Sequence, residues 1–154
     1  MPPKTLGDTM LRAHVSALPV PEFAETAWTP PPPLSEARVA VVTTAALHPE
    51  GGEALTPFAT TYTVLDASQR KLVLGHWSQN FDRSAFTIDP NVVYPLDRLD
   101  ELAADGTIGS VAPRHFAFAG NQPDDVSAVR LDGGPACAAE MKADGVDVVL
   151  LTPV

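Results

Sequence analysis

The stretch Pro135-Ala-Cys-Ala-Ala-Glu-Met-Lys-Ala-Asp-Gly145-Val-Asp-Val-Val-Leu-Leu-Thr-Pro-Val154 decides the fold. A proline opens it at a position where the missing N–H costs a helix nothing. Cys137 and Met141 stand four residues apart and share one apolar face. Gly145 supplies the left-handed residue that ends a helix. Val146–Leu151 is then a short β-branched run of the kind buried on both faces of a parallel sheet. A helix leading straight into a buried strand is the repeating unit of an α/β layer fold.

Further strands are expected upstream. Arg38–Thr44 is apolar and β-branched, Thr60–Asp66 alternates, Lys71–Gly75 is a third run and Ile108–Val111 a weaker fourth. A second helix is expected from Pro95, with Leu96, Leu99, Leu102 and Ala103 on one face, Asp97 in the first turn where the helix dipole favours an acid, and Gly106 as its stop. The expected fold is α/β, Rossmann-like but incomplete: a mainly parallel sheet of four or five strands with flanking helices. Residues 38–154 form this domain.

Residues 1–37 read as a Pro-rich N-terminal arm. Eight of the sixteen prolines precede Leu34, and Pro30-Pro31-Pro32-Pro33 favours an extended polyproline segment. At most one short helix, near Leu6–Val15, is expected in the arm. No internal repeat is evident.

The composition excludes several classes. A net charge of -9, with ten Lys and Arg spread along the chain, gives no basic stripe for nucleic acid. No apolar run approaches the roughly 20 residues that span a bilayer, and the N-terminus lacks a signal peptide's apolar segment. A cytoplasmic protein is expected. The single cysteine forbids an internal disulfide, and Cys137, on an apolar helix face, reads as core.

The polar residues cluster after the strands. Thr43-Thr44 ends the first, Gly75-His76 the third, and Asn80-Phe-Asp-Arg-Ser84 follows it. Pro113-Arg114-His115 follows the fourth, and Thr152-Pro153 ends the last. In a parallel sheet these groups gather at the carboxyl edge, where ligands bind. Each also has a structural reading. Thr43 and Thr44 satisfy backbone groups, Arg83 pairs with a structural carboxylate, and His76 and His115 are hydrogen-bonded in the core. Otherwise the two histidines act as acid and base. The spacing holds no metal motif, and the glycines form no nucleotide-binding pattern.

The long stretch Asn80-Phe-Asp-Arg-Ser-Ala-Phe-Thr-Ile-Asp-Pro-Asn-Val-Val-Tyr-Pro-Leu-Asp-Arg-Leu-Asp-Glu-Leu102 resembles the selenoprotein B family of glycine, sarcosine, betaine and D-proline reductases. Val39–Thr44, Gly109–Phe118 and Asp144–Thr152 match in the same order, so the resemblance covers residues 38–154 and leaves the arm outside. It implies reductive cleavage at the α-carbon of an amino-acid substrate with a dithiol as electron donor. It also implies partner subunits, one carrying a pyruvoyl group, and a reactive selenocysteine or cysteine directly after the strand matching Val146–Thr152. The sequence reads Thr152-Pro153-Val154 there and has neither residue. The chain is therefore expected to be truncated on its C-terminal side and inactive alone, through a halted UGA codon or as a natural short form. His76, His115 and Asp82 are the expected catalytic residues, Asp82 orienting a histidine. Thr44, Arg83 and Asn91 are expected to bind substrate, Arg83 through the carboxylate. The competing reading is a non-catalytic α/β module that binds a small molecule or partner, with His76, Arg83 and His115 holding an anion. A homo-oligomer stays open.

Overall fold

The computed structural model describes residues 6–17, 24, 28–78, 81–123 and 125–154. Parts of the expected arm (1–5, 18–23 and 25–27) and Asn80 of the family stretch lie outside the described residues. The short helix is present as α1 (Leu6–Ser16). Its described side chains from Thr9 to Ser16 are exposed. The chain reaches the domain body through a 3-10 turn at Leu34–Glu36, where the Gly109 N–H donates to the carbonyls of Leu34 and Ala37.

The body is a mixed α/β domain around β1 (Arg38–Thr43). The remaining strands are β2 (His48–Pro49), β3 (Tyr62–Asp66), β4 (Leu72–Val73), β5 (Ser110–Val111), β6 (Arg114–Phe118) and β7 (Val148–Thr152). On one side β1 pairs with β7 in an unbroken parallel register, Val39 opposite Val148 through Thr43 opposite Thr152. On the other it pairs in parallel with β5 at its start and with β6 at its end. Strand β3 adds antiparallel to β6, Tyr62 opposite Phe118 through Asp66 opposite Arg114. The sheet is mainly parallel, as expected.

Two strand expectations change. Lys71–Gly75 contributes only β4, which pairs antiparallel with β2 in a separate ribbon. Arg114–Phe118, read from sequence as a polar loop and its sequel, is a sheet strand lying between β1 and β3. Its polar start has a structural use. The Arg114 guanidinium makes a two-point bond to Asp144 (2.8 and 2.9 Å) and reaches Glu140 at 2.5 Å, and Glu140 also accepts the Tyr62 hydroxyl at 2.7 Å. This ties β6 and β3 to the helix above them.

The helices flank the sheet. Helix α3 (Leu96–Ala104) and the turn before it cover one face, where Val39, Val41, Leu65, Val93, Leu96 and Leu99 form a buried cluster. Helix α4 (Gly134–Ala143) covers the other, with Cys137 and Met141 packed on Phe116, Phe118 and Val42. The residues of β1 alternate between these clusters, which is why the strand reads as apolar throughout. Gly106 and Gly145 follow the two helices at φ +80° and +69°, as their stop roles require. Pro95 sits one position before α3 rather than inside it. A third helix, α2 (Arg83–Ile88), occupies the family stretch. Among the described residues no helix is long and apolar enough to cross a membrane.

Candidate functional site

The carboxyl ends of β1, β6 and β7 converge, as a parallel sheet dictates. The Thr44 hydroxyl accepts the Val154 N–H at 2.8 Å and faces the Val154 carbonyl at 3.2 Å, clipping the exits of β1 and β7 together. Gly120, just after β6, lies against both. A Cβ there would fall 2.6 Å from the Thr44 carbonyl, 3.0 Å from the Val154 carbonyl and 2.7 Å from His76 Nε2. Only glycine leaves room for this convergence.

His76 arrives through an approach far apart in sequence. Gly75 donates its N–H to the Ala46 carbonyl at 3.2 Å, and a Cβ on Gly75 would meet that oxygen at 2.5 Å. Ala46 itself holds φ +51° and donates to the Phe118 carbonyl at 2.9 Å. The bend after β1 and the bare Cα of Gly75 together deliver the next side chain over Gly120.

The His76 ring is buried and oriented. Nδ1 accepts the Ser78 N–H at 3.2 Å, which leaves the ring proton on Nε2. Phe81 stacks on it with ring centroids 4.5 Å apart and planes at 27°. An N–H of Arg83 donates to the His76 carbonyl. Burial lowers the His76 pKa below its ordinary value; the Val154 carbonyl opposes this and the Arg83 charge reinforces it. The ring is therefore a neutral Nε2–H donor near pH 7. That buried nitrogen has no hydrogen-bond partner of good geometry among the described residues. Beside it lies a cavity of about 270 Å³ lined by His76, Ser78, Phe81, Gly120, Asn121 and Val154, with no carboxylate side chain in its wall.

Of the residues singled out from sequence, the structure brings Thr44, His76 and Arg83 together. Asp82 caps α2, accepting the Ser84 N–H at 2.8 Å and the Ser84 hydroxyl at 2.5 Å, and these bonds lower its pKa. It is exposed and orients neither histidine through any of these bonds. Asn91 bridges the start of α3, donating to Asp89 (2.8 Å) and Asp97 (3.1 Å) and accepting the Asp97 N–H. It lines a different cavity, of about 330 Å³, with Arg70, Phe86 and Tyr94.

His115 lies near the start of β6, four backbone steps and roughly 13 Å of extended chain before Ala119. It is completely buried, and its Nδ1 accepts the Val41 N–H at 2.9 Å. The β1 pairing passes from β5 to β6 beside Pro113, and there an imidazole nitrogen supplies the acceptor that a ladder carbonyl supplies elsewhere. Burial pushes its pKa down to about 4. Cys137 is 2% exposed, and burial pushes its thiol up to about 11. Gly120, Ser78, Phe81 and Asn121 were not singled out from sequence. A glycine after an apolar strand is common, and nothing local marks Gly120.

Among the described residues no group of three or more His, Cys, Asp or Glu is arranged to hold a metal. No solved structure matches the chain. The family described as glycine/sarcosine/betaine reductase selenoprotein B matches residues 10–154. That match takes in most of the N-terminal arm, which the sequence resemblance had placed outside. The D-proline reductase subunit gamma of Acetoanaerobium sticklandii is 30% identical over 148 residues, covering 94% of this chain and 60% of the relative. The glycine reductase complex component B subunit gamma of Carboxydothermus hydrogenoformans is 31% identical over 147 residues, 88% of this chain and 32% of the relative. The betaine reductase complex component B subunit beta of Peptoclostridium acidaminophilum is 30% identical over 125 residues, 77% of this chain and 28% of the relative. The chain thus spans less than two thirds of each of these relatives. It belongs to the glycine/sarcosine/betaine reductase selenoprotein B family.

Proposed function

We propose that this chain forms the substrate side of a reductase site that cleaves glycine, sarcosine, betaine or D-proline reductively, with a dithiol as the ultimate donor. The observation that carries the reading is the buried, neutral His76 Nε2–H at the exits of β1, β6 and β7, which has no hydrogen-bond partner of good geometry among the described residues. Arg83, anchored on the His76 carbonyl and otherwise exposed, attracts the substrate carboxylate to the same edge. Thr44 holds the strand exits in place. Reduction requires a selenol or thiol that is ionised near neutral pH. Cys137 does not meet that requirement, since its buried thiol stays protonated. A selenocysteine or cysteine nucleophile and a pyruvoyl carbonyl on a partner subunit would then be supplied from elsewhere. The donor set here, a neutral N–H and a nearby guanidinium, with no carboxylate side chain in the cavity wall among the described residues, fits an anionic selenium, sulfur or carboxylate group. When bound, the nucleophile would supply the electrons; His76 would donate a hydrogen bond to the anion, and Phe81 would keep the ring in position.

The buried state of Cys137 also favours the second reading, a non-catalytic binding module. Thermal unfolding with each of the four amino acids in turn separates the outcomes. One of them at about a hundredfold over its Kd should stabilise the chain by about 2.7 kcal/mol. Arg83→Ala should remove most of that gain, and His76→Gln part of it, with both variants folded. No stabilisation by any of the four would sink the reductase reading and leave only a module for a different ligand or partner. Dithiol-dependent turnover by the 154-residue chain alone would contradict the external origin of the nucleophile. Turnover that appears only with the relatives' partner subunits added, and is lost in His76→Gln, would favour the reductase over the binding module.

A further inference from the structure

The cavity that Asn91 lines shares no residue with the one at His76. It encloses about 330 Å³, and its wall includes the apolar side chains of Leu72, Phe86 and Leu96 and the polar ones of Arg70, Tyr94 and Asp97. Small-molecule sites are typically concave and mostly apolar, about 300–1,000 Å³, with a few polar groups that fix orientation. The polar groups here differ in what they have left to offer. The Arg70 guanidinium is paired with Asp100 at 2.6 Å. Asp97 accepts from the neutral Asn91 amide at 3.1 Å, and among the described residues no cationic side chain pairs with it. Tyr94 is 5% exposed, and its hydroxyl is buried with no hydrogen-bond partner among the described residues. Burial raises the pKa of that hydroxyl, so it keeps its proton and its oxygen is a neutral acceptor.

The first turn of α3 accounts for Asp97 as an acid favoured by the helix dipole. Nothing in the fold accounts for the unpaired Tyr94 hydroxyl, and buried polar groups ordinarily have partners. The charges select the kind of group that would pair with it. Arg70 and Asp100 offset one another, which leaves the Asp97 carboxylate as the uncompensated charge in the wall and disfavours an anionic ligand. We propose that this cavity binds a primary ammonium group carried on a compact apolar body, at a ligand site separate from the edge at His76. The three N–H groups of an ammonium can serve the Asp97 carboxylate and the Tyr94 hydroxyl oxygen together. The apolar body packs on Leu72, Phe86 and Leu96. Arg70 is exposed and held by a surface ion pair, a weak tie, and swings aside to open the hydroxyl to the ligand.

Isoamylamine, isocaproate and leucine share one branched body and carry an ammonium, a carboxylate or both. In an NMR titration of the chain, isoamylamine should shift the Leu72 and Leu96 amides and leave Gly120 in place. The other two compounds should bind about tenfold more weakly, since each brings a carboxylate to Asp97. Asp97→Asn keeps an acceptor for the Asn91 amide and should weaken isoamylamine about tenfold. Tyr94→Phe should weaken it about fivefold yet leave the free chain as stable as before or more so, because it deletes an unpaired buried hydroxyl. Arg70→Met, at an exposed position, should tighten it about threefold by removing a like charge. Tighter binding of isocaproate or leucine would overturn the proposal, and so would loss of isoamylamine binding in Arg70→Met. A lower melting temperature of free Tyr94→Phe would mean that the hydroxyl is already paired, with the same consequence. Isoamylamine that shifts none of these amides, or Gly120 alone, would also sink it.

Discussion

Acidification from pH 6.5 to pH 4 should remove roughly 3 kcal/mol of folding stability through His115 alone. Burial pushes its folded pKa to about 4, against an ordinary value of 6.5. Between these values the unfolded chain takes up a proton that the folded chain refuses. Stability therefore rises with pH across this window, is complete above about 6.5 and is lost as pH falls towards 4. His76 is shifted in the same direction and adds to the slope. The aspartates held low by their capping bonds, Asp66, Asp82, Asp89, Asp105 and Asp125, act in a separate window below 3.8. Urea unfolding at pH 7, 5.5 and 4 measures the effect. His115→Asn places an amide oxygen near the position of Nδ1 and keeps an acceptor for the Val41 N–H without a titrating ring. It should flatten the pH profile while retaining most of the stability at pH 7. A wild-type profile that is flat between pH 6.5 and 4 would show that the ring is solvated.

Gly120→Ala carries the second large effect. The new methyl would stand 2.6 Å from the Thr44 carbonyl and 3.0 Å from the Val154 carbonyl, both fixed by the strand exits, and 2.7 Å from His76 Nε2. The two carbonyls have little room to move, so the imidazole must leave. Overpacking of this kind costs about 1–3 kcal/mol in folding. Displacement of the His76 Nε2–H from the cavity should weaken amino-acid binding by about tenfold or more, or about 1.4 kcal/mol for each factor of ten. Calorimetric titration of the wild-type ligand into the variant checks this. Unchanged affinity with a folded variant would remove His76 from the binding site. His76→Ala in the Gly120→Ala background should recover part of the lost stability and none of the affinity.

Much of the frame was legible because its signals are local. Pro135, Gly145 and the run after them fix a helix, its stop and a strand. Gly106 marks the end of α3 by the same left-handed backbone. The long family stretch likewise identified the relatives. What escaped the sequence depends on distant partners. Arg-His-Phe-Ala-Phe does not read as a sheet strand until Arg114 is seen to reach α4 and His115 to serve as a backbone acceptor. The direction of β3 cannot be read from alternation, which is identical in parallel and antiparallel strands. The position of His76 rests on Gly75 touching Ala46 and on the bare Cα of Gly120, and neither contact leaves a pattern along the chain.

The central place of β1 bears on how the chain is made. Its partners lie far downstream: Arg38 bonds Ser110 at a separation of 72 residues and Asp147 at a separation of 109. At synthesis rates of about 5–20 residues per second, the first strand leaves the ribosome on the order of 5–20 s before the last one exists. An apolar segment with no partner for that interval is a natural client for chaperones. High contact order also makes the final closure slow. The strand that organises the finished sheet is thus the one most exposed during its biogenesis.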